Sequence, residues 1–244
     1  MQVYLHSIAG IEDAILSMFI SKRSWSRALE EHVFSVCSRA LTRQGRLLRP
    51  GEGACTEEDY KEVTDWLERL CKWGWRHITL MRFIDMAITV EGLHRAGQDD
   101  WDSHARRFNN RIIRSSTRLS RFDYEMSSWY QDKILPTDLA LKALGMEMPQ
   151  EINVDGKTYV RAVNGYILKG MEEQKDVRRG LYMLSIPSTF LFKVDLTEWC
   201  HVYKERYAGG TANPEVKQCC EAIADQIESF IPMFNRDLFL KVQN

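Results

Sequence analysis

The sequence predicts an α+β fold, rich in helix, with a small and mostly antiparallel sheet. Apolar residues recur at helical spacing in long segments near both ends of the chain. An Asp155-Gly156 pair sits between alternating apolar positions, the strongest short hairpin signal present. A third segment, Ile78 to Val90, alternates as a strand does. The chain has 244 residues, a length that one hydrophobic core still accommodates. The reading is a single domain over 1–244, with insertions near 97–103 and 146–165. At 44% hydrophobic and 27% charged residues, an intrinsically disordered chain is excluded. Lys+Arg 33 against Asp+Glu 34 leaves a net charge of −1, so no general nucleic-acid partner is expected.

The elements follow in order. Ile11, Ile15, Met18 and Phe19 share one helical face over Ile11 to Ile20. Val33, Phe34, Cys37 and Leu41 form a second stripe between Glu31 and Leu41. Gln44 to Cys55, rich in Gly, Arg and Pro, reads as a loop. Thr56 before Glu57-Glu58-Asp59 is a capped helix start, and Gly74 is its stop. Ile78 to Val90 reads as a strand, with a buried helix as the alternative. Gly97 to Ser103 reads as an acidic loop. Pro136-Thr137-Asp138 opens a helix carrying Leu139, Leu141 and Leu144. Arg161 to Leu184 reads as helical, as does Leu196 to Tyr207, which Gly209-Gly210 ends. Asn213-Pro214 caps the last long helix, striped by Val216, Cys219, Cys220, Ile223, Ile227, Phe230 and Ile231.

No apolar run reaches the roughly 18–20 residues that span a bilayer, and Glu12 and Asp13 interrupt the N-terminal apolar stretch. No membrane partner or secretory leader is read here. Six scattered cysteines without a C-x-x-C pair point to a reduced, cytoplasmic protein. Phosphate-binding glycine motifs and H-E-x-x-H are absent from the sequence. His94 and His104 flank Asp99, Asp100 and Asp102, but no ligand pair sits at helix spacing, so no metal is assigned. Trp199-Cys200-His201 is similar to the Pro-Cys-His of folate-dependent thymidylate synthases. Without the proline and within a helix, Cys200 reads as a core or interface residue.

Two regions stand out by residue type. In the first, Arg106, Arg107, Arg111, Arg114, Arg118 and Arg121 alternate with Ser115, Ser116, Thr117 and Ser120. Guanidinium forks beside hydroxyls suit a phosphate monoester; a solvated basic helix face is the other reading. The second runs from Arg178-Arg179 through Asp195 to Arg206 and on to Ala212-Asn213-Pro214-Glu215-Val216. This stretch resembles the C-terminal part of the flavin-dependent thymidylate synthases. That family places an Arg, two Asn, a second Arg and Ala-Gln-x-Glu-Ile at spacings that Arg179, Asp195, His201, Arg206 and 212–216 keep, with one extra residue before the last. The family's signature, R-H-R-x-x-S-x-N-E-x-S-x-R-Y, falls on Asn109 to Phe122. Asn109 and Asn110 stand for Arg-His, Arg111 and Arg121 match, Thr117 replaces Glu, and Ser120 is displaced by one. The upstream Gly-His and Glu-His segment is reduced to Gly74-Trp75 and His77.

The resemblance implies a homotetrameric α+β fold with FAD, and reductive methylation at C5 of dUMP. Methylenetetrahydrofolate would be the carbon donor and NADPH the reductant. By position, Arg206 would face the uracil ring as the catalytic group. Arg121, Ser120, Arg179 and Thr117 would hold the pyrimidine nucleoside monophosphate. Arg111, Asn109, Asn110, Asp195, His201, Ser21 and His77 would occupy flavin-contacting places. The substitutions leave open a UMP C5-methylating enzyme of the nucleoside-antibiotic type, or a catalytically silent nucleotide-binding protein on the same fold.

Overall fold

The computed structural model of the chain describes residues 1–74, 76–103, 110–115, 126–127, 129–131, 133–162, 165–174, 177, 184–209 and 212–242. In chain order the elements are β1 (Gln2–Ala9), α1 (Ile11–Ser21), α2 (Arg27–Ala40), α3 (Glu57–Gly74), α4 (Ile78–Met81) and β2 (Asp85–His94). Next come α5 (Arg95–Ser103), β3 (Asn110–Arg114), α6 (Thr137–Ala143), β4 (Glu151–Val154), β5 (Lys157–Ala162) and β6 (Gly165–Leu168). The chain closes with β7 (Pro187–Asp195), α7 (Leu196–Tyr203), a π-helical turn over Lys204–Ala208, α8 (Pro214–Phe230) and α9 (Arg236–Lys241). Two compact units result. The first is Met1–Glu91, Asp99–Ile113 and Phe190–Asn244; the second is Gly92–Gln98 and Arg114–Thr189.

The first unit is built on a four-stranded sheet of order β1-β2-β7-β3. β1 and β2 are antiparallel, with Val3 opposite Val90 and Leu5 opposite Ile88, and a register shift between Leu5 and Ser7. Among the described residues, β1 has a strand partner on one side only. Gln226 of α8 serves the other side, accepting from the Leu5 amide at 2.6 Å and donating to the Val3 carbonyl. Such a contact satisfies backbone groups that an open sheet edge exposes. Ile11, Ile15 and Met18 of α1, Val33 and Cys37 of α2, and Val63, Leu67 and Leu70 of α3 are all buried. The stripes read for α1 and α2 hold except at Phe34, which is exposed, and Phe19, which is half-buried.

α3 opens with a reciprocal cap. Thr56 Oγ1 accepts from the Asp59 amide at 3.1 Å, and Asp59 Oδ2 accepts from the Thr56 amide at 3.3 Å. Arg39 of α2 then grips both Asp59 oxygens, at 3.0 and 2.6 Å. This guanidinium holds the Asp59 carboxyl well below the usual carboxylate range. Asn213 caps α8 by accepting from the Glu215 amide, with Pro214 at the first helical position, as the sequence indicates.

The second unit contains the predicted hairpin. β4 and β5 pair antiparallel across Asp155 (φ 50) and Gly156 (φ 76), the double positive φ of a type I′ turn. β6 adds a third strand, with Val160 opposite Ile167. The helix expected over Arg161 to Leu184 is corrected over its first part; residues 175–176 and 178–183 lie outside the described residues. Arg161 and Ala162 finish β5, and Gly165 to Leu168 is a strand that a turn at Lys169-Gly170 closes. Tyr, Ile and Leu pack well on a pleated surface, and the two flanking glycines bound a segment too short for a helix.

Two other expectations change, and one strand is added. Ile78 to Val90 is not one strand: Ile78–Met81 is a single helical turn, and the strand begins at Asp85. The N-terminal strand β1 is hidden in the sequence because Gly10 joins it to α1 with no linker. Gly97 to Ser103 belongs to the helix α5 rather than to an acidic loop, because Trp101 is a core residue, 1% exposed. Among the described residues no helix is long and apolar enough to cross a membrane.

Gly10 has φ 78, and a Cβ there would lie 1.9 Å from the Phe83 carbonyl oxygen, whereas a Cβ on Gly156 (φ 76) meets nothing within 4 Å. Gly156→Ala is expected to cost about 1–2 kcal/mol of conformational strain alone. Gly10→Ala should cost clearly more, since the backbone must also shift. Urea denaturation of the two variants tests this; equal losses would contradict it.

Candidate functional site

The strand β7 delivers the chain to the start of α7, where Asp195 is the N-cap. Its Oδ1 accepts from the Glu198 amide at 2.8 Å. Burial pushes the Asp195 carboxyl above the usual carboxylate range, opposed by the amide hydrogen bond and by Arg82. The neighbouring Thr197 hydroxyl donates to the Ile78 carbonyl at 3.2 Å, and the Leu196 amide to the Ile84 carbonyl at 2.9 Å. These contacts set the start of α7 beside α4, whose N-cap is His77.

His77 lines a cavity of about 330 Å³ with Lys72, Trp73 and Arg76. Lys22 adds a further cation, with Nζ 3.5 Å from the Trp73 ring centroid. Ser21, the last residue of α1, donates from Oγ to the Met18 carbonyl at 3.2 Å and precedes that lysine. Of the flavin-assigned residues, His77 lines this cavity, Ser21 precedes Lys22 in the chain, and Asp195 caps the helix whose Thr197 bonds to α4. Basic side chains around an indole suit an anionic group attached to a planar ring. The cavity has room for part of a dinucleotide, so these residues fit the diphosphate-bearing portion of FAD. A second cleft of about 700 Å³ lies between α3 and the 232–241 segment and shares Lys72 with the first.

The other end of α7 carries the arginine. His201 is half-buried in the last turn, and Arg206 follows in the π-helical turn Lys204–Ala208. Single π turns inside helices recur at functional sites. Arg206 is buried, with Nη1 2.9 Å from Asp100 Oδ1 and Nη2 donating to the Asp100 carbonyl. Asp100 is carried by α5, where the next residue, Trp101, packs against Phe190 (6.0 Å between centroids), Phe192 (5.3 Å) and Trp199 (6.2 Å). α7 spans roughly 12 Å at 1.5 Å per residue. Asp195 and Arg206 therefore stand beyond opposite ends of this helix.

Arg121, Ser120, Arg179, Thr117 and Asn109 lie outside the described residues. Asn110 and Arg111 open β3, and their side chains also lie outside them. Sequence reasoning missed Asp100, which it placed in a solvated loop, and the basic cavity. The run Lys72-Trp73-Gly74-Trp75-Arg76-His77, cations interleaved with aromatics, was the available signal for the cavity. Cys200 is a core residue as expected, and burial pushes its thiol well above the ordinary range. Among the described residues no group of three or more His, Cys, Asp or Glu side chains could hold a metal ion.

No protein-family model matches the chain, and no curated protein matches it either. Solved structures do. Thymidylate synthase X (ThyX) from Helicobacter pylori, solved with FAD and dUMP, is 12% identical with a TM-score of 0.54; the match covers 98% of this chain and all of that one. A further structure, the flavin-dependent thymidylate synthase ThyX of the same organism complexed with FAD and dUMP, is 11% identical with a TM-score of 0.53 over the whole of both chains. The fold is that of the flavin-dependent thymidylate synthases.

Because the folded-state pKa of Asp195 is raised, its charged form costs stability. That cost is absent below the unfolded value of about 3.9, builds as pH rises from there to the raised folded value, and is complete above it. Asparagine caps helices as well as aspartate does. Asp195→Asn is therefore expected to match or exceed the wild type in thermal stability at pH 7 and to lose the advantage near pH 3. A variant clearly less stable at pH 7 would contradict this.

Proposed function

We propose that the chain is a FAD-dependent enzyme that reductively methylates C5 of a uridine-type monophosphate, converting dUMP to dTMP. Methylenetetrahydrofolate would supply the carbon and NADPH the reducing equivalents, with a homotetramer as the working assembly. The observation that carries this reading is Arg206: a buried guanidinium presented by a π-helical turn, which the sequence spacing assigns to the family's uracil-facing arginine. It stands in a fold whose solved relatives were crystallised with FAD and dUMP.

The chemistry follows from what these side chains do. A C5 nucleophile forms when negative charge gathers on the uracil carbonyls. A fixed guanidinium donating to one of them stabilises that charge where it develops, typically worth about 2.7–4 kcal/mol per donor. Burial strengthens the field of the Arg206 guanidinium by excluding water. A thiolate nucleophile finds no support, since burial keeps the Cys200, Cys219 and Cys220 thiols protonated. The bound flavin would supply the hydride chemistry. Lys72, Arg76 and His77 would hold its anionic portion beside Trp73, and Asp195 would offer an acceptor at the start of α7. Arg121, Ser120, Arg179 and Thr117 are assigned to the phosphate and ribose, with Arg111, Asn109, Asn110 and His201 on the flavin.

Purified protein is expected to show the visible absorbance of an oxidised flavin, and dUMP to perturb those bands. Arg206→Ala should weaken the dUMP response by about 1–3 kcal/mol, the scale of a lost buried hydrogen-bond partner. Colourless protein that cannot be loaded with FAD would overturn the reading.

A further inference from the structure

Gly209 ends the π-helical turn that carries Arg206, and its conformation does not call for glycine. It is exposed, with φ −69, a helical value that other residues adopt freely. What it lacks is room. A Cβ there would lie 2.7 Å from the Glu205 carbonyl oxygen and 3.4 Å from that of Lys204. Both are backbone atoms of the turn, so a side chain fits only if the turn itself moves. The crowding comes from how the turn closes. The Gly209 amide donates to the Lys204 carbonyl, five residues back, at 2.8 Å, where an α-helix uses the residue four back. Two side-chain contacts hold the same closure. Tyr207 stacks on Tyr203, with centroids 4.8 Å apart and planes at 25°. Lys204 Nζ donates to the Val242 carbonyl, tying the start of the turn to the chain beyond α9.

We propose that Gly209 and Lys204 are positioning residues for Arg206: Gly209 permits the five-residue closure by carrying no Cβ, Lys204 holds it, and the closure aims the guanidinium at the base of the nucleotide. This rests on the proposed function, in which Arg206 meets the uracil. The extra residue in the turn sets direction. At 3.6 residues per turn, residues beyond it are rotated by about 100° from an α-helical continuation, and Arg206, inside the turn, by part of that. In the observed closure Arg206 is buried while Glu205 and Ala208 on the same turn are exposed. With a Cβ at 209 the contact with the Glu205 carbonyl is relieved by closing four residues back, which turns the guanidinium away from its present direction. Misplacement of about 1 Å by a change far from the reacting atoms costs on the order of 10²-fold in rate. The effect is therefore read in base binding and turnover rather than in folding.

The test joins a crystal structure of Gly209→Ala to calorimetry on the full chain in its flavin-loaded form, with dUMP, deoxyuridine and inorganic phosphate as probes. The variant is expected to keep its flavin and to show an α-helical closure with the Arg206 guanidinium redirected. Its dUMP binding should be at least about tenfold weaker, the scale of one hydrogen bond to a charged group. Deoxyuridine should lose a similar factor and phosphate none. Lys204→Met, which cuts the tie to Val242, is expected to weaken dUMP in the same way, and Lys204→Arg, which can keep that tie, to bind as the wild type does. This second pair carries the test should the alanine variant fail its thermal-transition check. A Gly209→Ala structure with the π turn and Arg206 unmoved overturns the proposal. So does unchanged dUMP binding in the folded variants of a wild type that binds, and either result leaves the proposed function standing. If the flavin-loaded wild type binds neither dUMP nor deoxyuridine, the positioning role and the proposed function both fall.

Discussion

The burial of one indole ring organises the candidate site. Trp101 sits in an aromatic layer with Phe190 and Phe192 of β7 and Trp199 of α7. Sequestering a ring of its size removes on the order of 150–250 Å² from water, worth at most about 4–6 kcal/mol. The surrounding Gly97, Asp99, Asp100 and Asp102 disfavour helix by roughly 0.5–1 kcal/mol each. Burial is the larger effect, so an acidic segment folds as α5. Once Trp101 is anchored, the adjacent Asp100 meets Arg206. The strand β7 supplies the phenylalanines and delivers the chain into α7. One layer of rings thus fixes the arginine and its partner together.

The elements that the sequence discloses are those governed by local chemistry. The Thr56–Asp59 cap, the Asp155-Gly156 turn and the Asn213-Pro214 start each involve residues a few positions apart, and each forms as read. The failures share a different cause. Arg161 to Leu184 holds a strand that gains its stability from pairing with β5, a partner chosen by the meander rather than by periodicity. β1 depends on β2 and on Gln226, both distant in sequence. The Asp100–Arg206 pair spans 106 positions, and nothing around Asp100 marks it as other than solvated. Asp195 and His201 fall on α7 as the spacing implies, because motif and helix coincide there. The basic cavity was legible only as a run of cations and aromatics, since its enclosure depends on the fold.

An identity of 11–12% across a full-length structural match is consistent with how cores tolerate change. Hydrophobic residues of suitable volume keep a fold when their pattern is kept. Here the pattern survives in the stripes of α1, α2, α3 and α8. Polar positions obey a stricter rule, because a buried charge must be paired. That rule makes Asp100 and Arg206 informative where Val63 or Ile223 is not. The near-zero net charge likewise conceals a local concentration of cations around Trp73, and local fields rather than total charge decide which ligands a site accepts.

The most direct test of this account is a crystal structure of the flavin-loaded protein with dUMP bound. Arg206 is expected to donate to a uracil carbonyl, with Trp101 unmoved in its aromatic layer. A nucleotide bound away from Arg206 would contradict it.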